Sequence, residues 1–232
     1  MTDQVPQIPD RRLTTPRAAA IAGVIFGLLM IAIFTIINLN IPAVEEDTGA
    51  WLETSVRPVT IALALIPFAG IAFLWFMGVL RDRIGLLEDQ FFSTLFIGSG
   101  LLYLGLVFTG GAMAGGLMTA YFLEPSIVTE GNVYIFARAV IYQINNVYSI
   151  RMAGMFMFVL ATIWVRTGVM PRLIGLITYA VAVVLLVSIS FIPWMVEVFP
   201  VWVLLVSVYI LVLDFRYRKD VDEGTFDEQG EE

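Results

Sequence analysis

Apolar residues in this chain follow neither the 3.6-residue stripe of a surface helix nor the alternation of a half-buried strand; they come in long unbroken runs separated by short polar breaks. The runs extend from Ala18 to about Pro42, Val59 to Leu80, Phe91 to about Gly116, Phe136 to Val165, Leu173 to about Ile192, and about Val201 to Phe215. About 20 apolar residues in a helix cover the ~30 Å of a bilayer's hydrocarbon. The pattern therefore predicts an all-α, polytopic bundle of six transmembrane helices. Residues 1–16 read as a polar N-terminal tail, 17–217 as one membrane domain, and 218–232 as an acidic, disordered C-terminal tail.

The polar breaks orient the bundle. Of thirteen basic residues, ten fall on alternate ends of the runs: Arg11, Arg12 and Arg17 before the first, Arg81 and Arg83 after the second, Arg166 and Arg172 after the fourth, and Arg216, Arg218 and Lys219 after the sixth. Positive charge concentrates in cytoplasmic loops, so both termini are expected in the cytoplasm of a cell (plasma or inner) membrane protein. A mean hydropathy of +0.88 agrees with lipid as the main solvent. The net charge of −7 comes from the tail, since seven of the twenty acids follow Lys219; nucleic acid is not an expected partner.

Two predicted spans are too long. Phe91 to Phe122 is 32 residues and Phe136 to Val165 is 30, each about 45 Å or more as straight helix. The hairpin they form should project beyond the outer leaflet or break, with Gly110, Gly111, Gly115 and Gly116 as the place for a break or a close helix contact. Gly111 and Gly115 have the GxxxG spacing that lets helix backbones approach. A short interfacial helix is expected between Glu45 and Pro58.

Candidate chemistry is sparse. With no cysteine or histidine and one lysine outside the runs, the chain lacks the usual ligands of zinc, haem and copper and any intramembrane Schiff base, so neither a metal site nor a cofactor is expected. On the fourth run Arg138, Tyr142, Asn145 and Ser149 are spaced by four, three and four and share one face of a continuous helix. That face is either a groove for an anionic or polar ligand or a wet helix end. Arg151 lies about half a circumference away and about 20 Å from the cytoplasmic end, where an arginine costs ~2.5 kcal/mol or more unless paired. Glu53, Glu124, Glu130 and Glu197 are the acids on its side; snorkelling to the headgroups is the alternative.

The segment Gly78-Val79-Leu80-Arg81-Asp82-Arg83-Ile84-Gly85 resembles the loop signature of major facilitator transporters, G-x-L-x-D-R-x-G, and falls in the turn after the second span as that family would place it. The resemblance implies a cytoplasmic turn (Arg81, Asp82, Arg83, Gly85) that helps hold one state of a carrier, which at six spans would need two copies. The whole chain, including the turn Thr167 to Ile177, is similar to small uncharacterised six-helix membrane proteins of bacteria, which implies no activity. No nucleophile and base pair is present, so a non-enzymatic component is expected. Such a component would recognise protein or lipid partners, or a second copy of itself, through its helix faces and outer hairpin. A small-solute carrier built as a dimer is the other reading. A polar cavity at mid-membrane reaching Arg151 and lined by Asn38, Tyr103 or Thr109 would favour the carrier.

Overall fold

A computed structural model of the protein describes residues 15–42, 49–84, 90–130, 132–187 and 193–228, and its elements are helical throughout. They are α1 (Thr15–Asn40), α2 (Trp51–Thr54), α3 (Val56–Ile84), α4 (Gln90–Leu123), α5 (Pro125–Glu130), α6 (Val133–Gln143), a π-helical segment (Ile144–Ser149), α7 (Ile150–Thr167), α8 (Arg172–Val187), a 3-10 turn (Pro193–Glu197) and α9 (Val198–Glu228). The π segment continues α6 directly into α7.

Among the described residues five helices are long and apolar enough to cross a membrane: Ala18–Asn40, Val56–Arg81, Gln90–Leu123, Val133–Thr167 and Trp194–Phe215. The sixth expected crossing corresponds to α8, whose 16 residues make about 24 Å of helix, short of ~30 Å of hydrocarbon. Residues 188–192, which the sequence assigns to that run, lie outside the described residues. At the turn after the second span, α3 continues through Ile84, so Arg81, Asp82 and Arg83 occupy its last turn. Nothing in Arg-Asp-Arg-Ile breaks a helix, and Gly85 is the first residue that would; it lies outside the described residues, as do the side chains of Asp82 and Arg83.

Consecutive long helices run antiparallel. Gly70 of α3 faces Leu104 and Phe108 of α4, and Gly100 faces Met77; Gly154 of α7 faces Ala182 and Leu185 of α8. Below, the near end is where α1 begins and α9 ends, and the distal end is the opposite one. Helix α1 packs between α3 and α9, α4 packs on α3 and α7, and α8 lies along α7.

One aromatic cluster joins the five long spans. Phe26 of α1 lies 4.7 Å from Phe73 of α3, Phe96 of α4 lies 4.7 Å from Phe156 of α7, and Tyr103 of α4 lies 4.7 Å from Phe199 of α9, measured between ring centres. Phe73 and Phe199 link the pairs, at 5.5 and 5.6 Å from Phe156. The sequence shows no stripe because both helix faces are apolar: α3 buries Ala62, Ile66, Ala69, Phe73 and Phe76 at helical spacing while exposing Ile61, Phe68, Ile71, Leu74 and Trp75. Between lipid-like faces the choice of inner face rests on shape and close packing, since lipid tails are as apolar as the core.

Many hydroxyls in the spans are turned back on their own helices. Thr60, Thr94, Ser99, Thr109, Thr119, Thr162 and Thr167 each donate to the carbonyl four residues before, at 2.7 to 2.9 Å. This satisfies the donor without a partner helix or water, as an apolar surround requires.

Candidate functional site at the distal end

Helix α4 runs unbroken for 34 residues, about 51 Å, so its glycines do not interrupt it. The interruption falls on the opposite strand of the hairpin, in the π segment. There Asn145 packs so closely on Gly110 that a Cβ at that glycine would sit 2.5 Å from Asn145 Oδ1. Gly110 is thus the close-contact glycine of the expected set. Gly111 meets only the end of the Ile66 side chain, at 2.8 Å, and Gly115 and Gly116 face open space.

The π segment also bends the polar stripe. Its i→i+5 hydrogen bonds turn less per residue than an α-helix, so positions after it are rotated relative to those before. The four residues accordingly have separate surroundings. Arg138 reaches the distal end of α1, donating from Nη2 to the Pro42 carbonyl at 2.7 Å. Tyr142 is half-buried and Asn145 sits against α4. Ser149 is 2% exposed and donates to its own helix at the Asn145 carbonyl, 2.9 Å. Arg138 thereby ties the hairpin to α1, and Asn145 ties it to α4.

Arg151 is half-buried and donates from Nη1 to the Val147 carbonyl at 3.0 Å. Side chains on a helix lean toward its N-terminus, which for α7 is the distal end, so the guanidinium climbs along its own helix. The acids considered as its partners are engaged elsewhere: Glu53 accepts from Tyr121 at 3.2 Å, Glu124 from Ser126 at 2.7 Å, and Glu197 from Thr35 at 3.3 Å. The Glu130 side chain lies outside the described residues. At the near end Arg166 stacks its guanidinium 4.9 Å over the Phe92 ring, joining α7 to α4.

Above these residues sits a second, separate apolar core, which forms a distal cap. Trp51 and Leu52 of α2, Val59 of α3, Leu117 and Met118 of α4, Val128 of α5 and Tyr134 of α6 pack together. Trp51 Nε1 donates to Tyr134 Oη at 2.7 Å inside it, so two amphipathic rings are buried with their polar atoms paired. Leu117 lies 27 residues, about 40 Å, beyond the start of α4, a length that exceeds ~30 Å of hydrocarbon. On the outside of the cap Phe122, Leu123, Ile135 and Phe136 are 64 to 80% exposed.

Among the described residues three side-chain groups outside that stripe are buried without a geometric hydrogen bond: Tyr103 Oη in the aromatic cluster, Asn38 Nδ2 of α1 and Ser207 Oγ of α9. Among the described residues no three His, Cys, Asp or Glu side chains converge. Ser99, between two glycines, bonds its own helix at the Leu95 carbonyl and faces no base. Trp51 with Tyr134 and Thr35 with Glu197 are separated by 83 and 162 positions, so no local spacing announces either pair. Comparison of the chain with family models, with curated proteins and with solved structures finds no match.

Proposed function

We propose that the chain is a non-enzymatic, multi-pass component of the cell membrane whose distal cap faces outward and recognises a protein or lipid partner. The observation that carries the reading is the cap itself. It has its own core, it is tied down by the Trp51 to Tyr134 hydrogen bond and by Arg138 on the Pro42 carbonyl, and it displays exposed Phe122, Leu123, Ile135 and Phe136. Apolar side chains gathered beyond the hydrocarbon are the kind of surface that partners cover. Beneath it the closed aromatic cluster leaves the interior to rings, in keeping with recognition at the surface over passage through the middle.

In this reading α8, with residues beyond it, makes the sixth crossing and both termini stay cytoplasmic. Parity gives a clean test, because six crossings put the two ends on one side and five put them on opposite sides. The chain has no cysteine, so single cysteines at Thr2, Ser126 and Thr225 report alone. An impermeant maleimide applied to intact cells should label Ser126→Cys and neither of the others; labelling of either tail overturns the topology. A photo-crosslinking residue at Phe136 should then give an adduct of defined mass that one at lipid-facing Val184 does not. Equal, featureless reaction at both positions removes the recognition role.

The second reading, a small-solute carrier working as a dimer, draws on Asn38 Nδ2 and Tyr103 Oη, buried without a geometric hydrogen bond, and on the Gly78 to Gly85 resemblance. It requires a path opening between the rings of Tyr103 and Phe199.

A further inference from the structure

The π segment lies in the middle of one continuous helix that serves two regions. Its α7 part is built into the bundle, and its α6 part carries Tyr134 and Arg138 of the cap. A stretch of i→i+5 bonding inside an α-helix absorbs one residue more than the α register holds, and on return to i→i+4 bonding it leaves a carbonyl without its backbone N–H. Side chains four residues on serve the carbonyls of this stretch. Asn146 Nδ2 donates to Tyr142 at 3.4 Å, Ser149 Oγ to Asn145 at 2.9 Å and Arg151 Nη1 to Val147 at 3.0 Å. An arginine in an apolar span is costly unless paired, and a freed carbonyl is costly unless a donor reaches it; here each satisfies the other.

We infer that the π segment is a two-register device that sets which residues the cap buries and which it shows, and that Arg151 is the positioning residue that holds the observed register. With α7 fixed, a return to α bonding pushes the extra residue into the helix, so α6 turns by about 100° and advances distally by ~1.5 Å. Each α6 residue then takes the place of the one before it. Ile135 enters the seat of Tyr134, which is 9% exposed against Trp51, and Phe136 takes the place of Ile135. Ala137 stands where Phe136 did, so the exposed patch exchanges Ile135 and Phe136 for Phe136 and Ala137 and shrinks. The bonds from Trp51 to Tyr134 and from Arg138 to the Pro42 carbonyl belong to the observed register alone, as does Asn145 against Gly110. These contacts and the Arg151 bond favour the π form, and an unbroken ladder of backbone N–H bonds favours the α form. The two states are discrete because a packed helix has no stable position between two sets of side-chain seats. A partner that covers Ile135 and Phe136 fits one register only and so selects it. That last step rests on the cap-recognition reading; the device itself does not.

The test reads the register by cysteine reactivity in the purified full-length protein, which has no native cysteine. Ile135→Cys and Phe136→Cys should both react fast with a maleimide in the observed register, where the residues they replace are 66% and 70% exposed. Adding Arg151→Leu should slow Ile135→Cys about tenfold, the factor expected when about nine molecules in ten change register, and leave Phe136→Cys fast. Arg151→Lys keeps a donor and should retain most of the fast reaction at Ile135→Cys. Deleting Asn146 in the Arg151→Leu background removes the extra residue, returns α6 to its original seats and should restore the reaction. Shortening the helix would not rescue a merely structural loss. Unchanged labelling of Ile135→Cys in Arg151→Leu overturns the device, as does equal slowing at both positions or a deletion that restores nothing. Partner cross-linking at Phe136 is a separate measurement, so cap recognition can fail while the register test succeeds, and the reverse.

Discussion

The distal cap and the aromatic cluster below it solve the same problem, burying large side chains, by different means. In the cluster, Phe26, Phe73, Phe96, Phe156 and Phe199 meet edge to face or tilted, with no polar atom to satisfy except Tyr103 Oη. In the cap the buried rings belong to Trp51 and Tyr134, and the indole N–H of the one donates to the hydroxyl of the other. The difference tracks the surroundings. Rings alone hold a site where both faces of every helix are apolar, because only shape selects the contact. The small cap core also uses a directional bond, which fixes a unique arrangement with few residues.

The largest expected effect separates the two regions most sharply. Phe73→Ala removes the ring that joins α1, α3, α4, α7 and α9, and should cost about 3–5 kcal/mol in a denaturing-detergent titration of the whole bundle. A loss confined to one helix pair would show that the cluster is not a single unit. Tyr134→Phe keeps the ring but leaves Trp51 Nε1 buried without an acceptor, for about 1–3 kcal/mol. Its signature is local: faster hydrogen exchange in α2 and α6 with the bundle transition little moved. If the whole bundle weakens equally, cap and core are one cooperative body.

Smaller effects come from the glycines. A Cβ at Gly154 would stand 3.1 Å from the Ala182 carbonyl and from Leu185, so Gly154→Leu should push α8 off α7 and cost about 1–3 kcal/mol by overpacking. Gly115 faces open space, and Gly115→Ala should leave the same titration unchanged or gain up to about 1 kcal/mol from helix propensity. Loss of stability at Gly115 would reveal a helix packed on that face. Arg151→Leu should be the mildest of all, within about 0.5 kcal/mol, because the guanidinium bonds only its own helix at Val147.

Some of this was written in plain composition. Five of the six runs announced helices long enough for a bilayer, and the surplus length between Phe91 and Val165 announced two unusually long ones. The acidic and basic residues announced a topology that cysteine labelling can test. The expected polar stripe was less legible. Its spacing assumed an α-helix from Arg138 to Ser149, and the π segment that rotates its second half has no mark in the residues Ile-Asn-Asn-Val-Tyr-Ser. Across the hairpin, the missing side chain of Gly110 leaves room for Asn145 of that segment, a contact that no local spacing announces.

Sequence alone determined what each stretch is made of, because hydrophobic length, charge placement and missing residue types are local properties that need no partner to read. Only the tertiary structure decided which face of each helix turns inward, that α8 stands beside the five-helix aromatic cluster, and that Glu197 meets Thr35 while Arg151 turns to its own helix. When every face of a helix is apolar, hydrophobicity no longer ranks the faces, and the outcome rests on shapes contributed by residues far away in the chain.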